Sequence, residues 1–111
     1  RTLARVVIRE EKGSDVNLGA FLIHDALVAR QVTRAVVVTN DSDLEEPIRM
    51  TVAGGVRVTL VNPHRKQPPN GRLIKVATDE VKLGAGDAAL CQLPNAVITR
   101  SGKQVHKPRE W

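Results

Sequence analysis

Apolar positions along this chain switch between two spacings. Leu3 to Glu10 alternates loosely and is rich in Val and Ile, which predicts a strand over about 4–10. From Val16 to Arg30 the spacing turns helical. Leu18, Phe21, Leu22, Ala26 and Ala29 share one face, and Ile23, Leu27 and Val28 widen it. Gly13-Ser14-Asp15 reads as the turn and cap before that helix. A second strand follows over about 35–39, apolar throughout as buried parallel strands are. Asp43 opens a second helix that runs to about Ala53, where Gly54-Gly55 stops it. Val56 to Val61 forms a third strand. A β-α-β-α-β order with short connections predicts an α/β fold with a mainly parallel sheet and right-handed crossovers.

Regularity fades after Asn62. Pro63 to Gly71 is a loop by composition. A short helix at Leu73–Ala77, an edge strand at Val81–Leu83, a turn at Gly84–Gly86 and a helical turn at Asp87–Cys91 are weaker expectations. Residues 1–93 read as one domain. Residues 94–111 read as an irregular basic tail with a hairpin near Ser101-Gly102.

Composition narrows the class. The chain has 111 residues, enough for one core, and 41% of them are hydrophobic, so it should fold. Aromatics are 2%, Phe21 and Trp111, which leaves an aliphatic core. The single Cys91 excludes an internal disulfide and fits a reducing compartment. No signal-like or membrane-spanning run is present, so a cytoplasmic location and no membrane partner are expected. The chain opens on Arg1, directly ahead of an apolar run, as a piece of a longer protein would. Residues 1–60 carry eight Lys/Arg and eight Asp/Glu; residues 61–111 carry nine and four, so the whole net charge of +5 lies in the second half. A basic flank beside carboxylates suits a phosphodiester substrate; a solvated surface is the plainer explanation.

Candidate chemistry gathers at Thr39-Asn40-Asp41-Ser42-Asp43, just past the second strand. In open parallel sheets ligands bind at that edge. Asp15 follows the first strand-like run in the same way. Three aspartates at two neighbouring strand ends suit a hard cation, Mg²⁺ or Mn²⁺. Capping competes with this: Asp43 with Glu46 fits a capping box, and Ser14 or Asp15 could cap the first helix. Capping does not explain Asp41, which lies outside the helix beside another acid. His24, His64 and His106 have no zinc spacing, and Cys91 reads as a small core residue. Gly84-Ala85-Gly86 lacks the context of a dinucleotide loop.

Taken together, Glu10-Glu11-Lys12-Gly13-Ser14-Asp15-Val16-Asn17-Leu18, then Val36-Val37-Val38-Thr39-Asn40-Asp41-Ser42-Asp43-Leu44 with Pro47, then Gly55-Val56-Arg57-Val58, resemble the NYN domain, a PIN-like family related to metal-dependent nucleases. Cys91-Gln92-Leu93-Pro94-Asn95, Gly102 and Lys107 to Trp111 look like the tail of bacterial members. The resemblance implies a PIN-like three-layer α/β/α sandwich that cleaves RNA. Asp15, Asp41 and Asp43 match the family's acids, which would hold Mg²⁺ or Mn²⁺ and serve as the catalytic residues. One departure stands out: the family pattern starts with a central strand ending in an aspartate and an asparagine, and Arg1–Glu10 does not supply it. Asn40 and Leu44 replace the usual small residue and Phe.

The leading expectation is therefore a metal-dependent ribonuclease, with Arg65, Lys66 and Arg72 steering the RNA. The alternative is a non-catalytic RNA- or protein-binding module on the same fold. A phosphohydrolase of the haloacid dehalogenase pattern ranks last, because the threonine two residues after the second Asp is missing. Homo-oligomerisation stays open.

Overall fold

Gly13 opens the first helix of the computed structural model, which describes residues 13–110. The strand expected at 4–10 lies outside the described residues. Gly13 takes φ 86°, a left-handed turn that favours glycine, and is itself the N-cap of α1 (Ser14–Ile23). Neither Ser14 nor Asp15 holds the capping position; Asp15 sits in the first turn, where a carboxylate complements the helix dipole. The helix continues as a π turn, His24–Val28, in which the Ala29 amide reaches back to the His24 carbonyl at 2.8 Å. Arg30, with φ 51°, ends it.

Strand β1 (Arg34–Val38) leads through a tight 3₁₀ turn, Ser42–Leu44, into α2 (Glu45–Ala53). Gly54 and Gly55 terminate α2 as expected, for two different reasons. Gly55 adopts φ 91°. Gly54 has ordinary torsions, but a Cβ there would come within 2.2 Å of Leu27 Cδ2. Strand β2 (Arg57–Asn62), α3 (Gly71–Val76), β3 (Asp79–Lys82) and α4 (Ala85–Leu90) follow, then a hairpin of β4 (Ala96–Ile98) and β5 (Gln104–His106). The sheet has the order β1-β2-β3 and is parallel, with Val37 beside Leu60 and Asn62 beside Lys82. The α/β class and the positions of β1 and β2 therefore match the sequence pattern. Strand β1, expected to be buried throughout, is instead an edge strand among the described residues, with only Val37 buried. The tail is more regular than expected: β4 and β5 pair antiparallel around Gly102, at φ 80°.

Val37, Leu44, Ile48, Val58, Leu60 and Leu73 form the core, with Leu22, Ala35, Val52 and Val76 packed around them. Each fully buried side chain of this kind contributes about 1.5–3 kcal/mol. Val37, Val58 and Leu60 lie on one face of the sheet, so α1, α2 and α3 all cover that face. Val36, Val38 and Val81 lie on the other and are at least half exposed or close to it, at 61%, 56% and 48%. Phe21, expected on the buried side of α1, is exposed. The face that packs is instead Gly19, Leu22 and Ala26. Gly19 is what allows it: a Cβ there would sit 2.9 Å from the Pro47 ring of α2.

Candidate functional site at the C-terminal edge of the sheet

The segments leaving β1 and β2 are fixed by short polar side chains. Thr39 extends the ladder, its amide bonding the Val61 carbonyl at 3.0 Å. Its hydroxyl then accepts the Asp41 amide at 3.1 Å, and Asp41 Oδ1 accepts the Asp43 amide at 2.9 Å. Two successive side-chain turns thus steer the backbone sharply into α2. Asp41, not Asp43, is the cap. The Asp43–Glu46 capping box read from the sequence is corrected on this point, as is the reading that capping leaves Asp41 unexplained: the helical run begins two residues earlier, with a 3₁₀ turn, so the capping oxygen comes from Asp41. The second Asp41 carboxylate oxygen has no hydrogen-bond partner among the described residues.

Three asparagines clasp the loop after β2. Asn40 donates to the Pro68 carbonyl at 3.2 Å and accepts the Asn70 amide at 2.7 Å. Asn62, buried at the end of β2, donates to the Gln67 carbonyl at 2.8 Å and accepts the His64 amide at 2.9 Å. Asn70 caps α3 through the Arg72 amide at 3.0 Å. The sequence marks this stretch as a loop; the clasp makes it an ordered one.

Between these segments lies a polar cavity of about 490 Å³, lined by Thr39, Asn40, Asp41, Ser42, His64 and Asn70 among others. Asp43 and Asp15 line a neighbouring cavity of about 290 Å³ with Gly19, Ala20, Ile23 and Pro47, between α1 and the start of α2. The expected acids are thus divided one and two over separate depressions. Among the described residues no group of three or more His, Cys, Asp or Glu comes together. Two carboxylates suffice for Mg²⁺, which keeps several waters and takes further oxygens from a phosphate.

Of the expected RNA-steering residues, Arg65 and Lys66 line a third cavity, of about 350 Å³, with Lys82. Arg72 lies elsewhere. Its Nε is 2.6 Å from Glu45 Oε2, an ion pair that ties α3 to the start of α2. Cys91, read as a core residue, is exposed. It follows the short α4, which buries nothing.

One carboxylate far from this edge has a shifted pKa. Asp79, at the start of β3, accepts the Thr59 hydroxyl at 2.5 Å and Arg57 at 2.9 Å. The Thr59 hydrogen bond, then Arg57, hold it below the ordinary aspartate value of 3.8.

No protein-family profile matches the chain, and no solved structure matches it. The 6-hydroxy-3-succinoylpyridine 3-monooxygenase HspA of Pseudomonas putida is 40% identical over 106 residues, an alignment covering 92% of this chain. The chain spans about a third (33%) of that relative's length. No helix among the described residues is long and apolar enough to cross a membrane.

Proposed function

We propose that the C-terminal edge of the sheet binds Mg²⁺ or Mn²⁺ and hydrolyses RNA phosphodiesters, on a PIN-like three-layer domain. The observation that carries this reading is the placement of Asp41. It is an exposed carboxylate just past the C-terminal end of the parallel strand β1, in a polar cavity, with one oxygen engaged by the cap and one unengaged. Asp41 would hold the cation, joined by Asp43 and Asp15 only if their carboxylates turn toward it from the second depression. When bound, the cation supplies charge stabilisation for the phosphate and a more acidic water. Asp41 is held at its post by the Asp43 amide, so its carboxylate needs no reorganisation to act. His64 and Asn70, across the same cavity, supply polar contacts to the substrate's oxygens. In the hydrolysis, a water oxygen bonds to phosphorus, the ester P–O bond breaks, and the departing oxygen leaves with a proton.

The test is cleavage of labelled single-stranded RNA with Mn²⁺, with Mg²⁺ and with EDTA. Wild type is expected to cut with either metal and not with EDTA, and Asp41→Asn to lose at least a hundredfold. RNA binding without cleavage, equal in both proteins, supports the non-catalytic module instead.

A second reading rests on the 40% identity to the pyridine monooxygenase. On it, this stretch is part of a longer enzyme that hydroxylates a hydroxypyridine carrying a carboxylate side arm. Consumption of 6-hydroxy-3-succinoylpyridine under oxygen with a two-electron reductant, and none of RNA, supports this one.

A further inference from the structure

The clasped loop carries a charge arrangement that the cation site does not use. Arg65 and Lys66 lie on the loop between its two anchor points, Asn62 and Asn40. Lys82 ends β3, and the parallel register sets it beside Asn62. All three line the cavity of about 350 Å³ together with His64, Gln67, Pro68, Pro69 and Leu83. No carboxylate lines it, and none of the three cations forms an ion pair with a described residue. Arg49, Arg57 and Arg72 each have an acid, and cations such as Lys75, Arg100 and Lys103 have none among the described residues; what sets Arg65, Lys66 and Lys82 apart is that they line one concavity together. Three like charges around one concavity repel unless an anion sits among them. The loop keeps them there, because Asn62, Asn40 and the Pro68-Pro69 pair limit its freedom. His64 lines both this cavity and the one bearing Asp41, so the two adjoin.

We propose that Arg65, Lys66 and Lys82 form an oxyanion subsite for a phosphate or carboxylate group of the substrate, beside the Asp41 cavity. Under the ribonuclease reading this subsite seats a phosphate next to the one that is cut. Under the monooxygenase reading it seats the carboxylate arm. The subsite is tested by binding alone, so it stands or falls separately from either activity.

The experiment measures affinity in EDTA, where no metal-dependent cleavage occurs. The probes are a fluorescent single-stranded RNA oligonucleotide, inorganic phosphate and succinate. Wild type is compared with Arg65→Gln/Lys66→Gln/Lys82→Gln, and with a charge-matched control, Lys75→Gln/Arg100→Gln/Lys103→Gln. The six positions are exposed, so both triple variants should fold; Lys82→Gln alone, on a strand end, serves if the first does not. The subsite triple is expected to lose at least tenfold for one probe or more, and the control less than threefold. If RNA is the probe that responds, the slope of log affinity against log salt should fall by about 2 in magnitude, at about 0.7 per phosphate contact. A loss confined to RNA identifies a phosphodiester, and a loss for succinate identifies a small acid; both support the subsite. Equal losses in the two triple variants, or no binding of any probe by wild type, overturn it.

Discussion

Asp41 combines a structural and a chemical role, and two substitutions separate them. Asparagine keeps the side-chain oxygen that accepts the Asp43 amide, so Asp41→Asn should melt within a few tenths of a kcal/mol of wild type in the absence of metal. Alanine removes the acceptor, and Asp41→Ala should cost about 1 kcal/mol in urea denaturation. If both lose activity and only alanine loses stability, the charge is what the chemistry needs. Asp79 gives a second residue-level test, at the other end of the sheet. Its pKa is lowered in the folded chain by Thr59 and then Arg57. A lowered carboxylate pKa means the unfolded chain holds the proton more tightly. The contribution is therefore present above the unfolded value of 3.8 and disappears as pH falls through the lower folded one. Wild type should thus be more stable than Asp79→Asn at neutral pH, and the gap should close in strongly acidic buffer. A gap that stays constant across that range in urea melts contradicts the assignment.

At the scale of elements, the approach of α1 to α2 rests on two glycines with different neighbours. Alanine is a better helix former than glycine by about 1 kcal/mol, yet Gly19→Ala should destabilise, because the Pro47 ring cannot move aside. Gly54→Ala meets only the end of Leu27, which can rotate, so its cost should be smaller despite the shorter nominal distance. Adding Pro47→Ala to Gly19→Ala should recover about 1 kcal/mol or more, as a double-mutant cycle would record. The same elements mark how far the sequence could be read. Val58 to Val61 announces a buried strand, as the central β2 is, whereas the equally apolar Val36-Val37-Val38 belongs to the edge strand β1 and buries only Val37, so the run shows the strand but not its burial. The span of α1 was legible from its spacing, but its packing face was not. Phe21 is the largest apolar residue there, and only the closeness of Gly19 to Pro47 turns the helix so that Phe21 points outward. The π turn at His24–Val28 has no breaker to announce it. Which of Asp41 and Asp43 caps was undecidable locally, since both have the right side chain and the Thr39 hydroxyl settles the turn.

For the molecule as a whole, a cation that binds only the folded edge should stabilise it by about 2.7 kcal/mol at a hundredfold excess over Kd. Thermal melts with Mn²⁺, Mg²⁺ and EDTA should separate for wild type and coincide for Asp41→Asn. Wild type melting alike in all three would remove the cation from the proposal. Lys82 could not have been assigned to this edge from sequence, because it is remote from Arg65 and Lys66 in the chain. The parallel register of β2 and β3 alone brings them together. The asparagine clasp has a consequence on a slower clock. Asn70 precedes Gly71, the pairing in which a side-chain amide most readily closes onto the next backbone nitrogen and loses ammonia. In the folded chain that amide is turned toward Arg72, and the backbone beside it is held by Asn40. Ring closure must break the cap and release the loop. Ageing at this one position therefore counts the moments the loop lets go, and the mass gain of stored protein becomes a record of its openings.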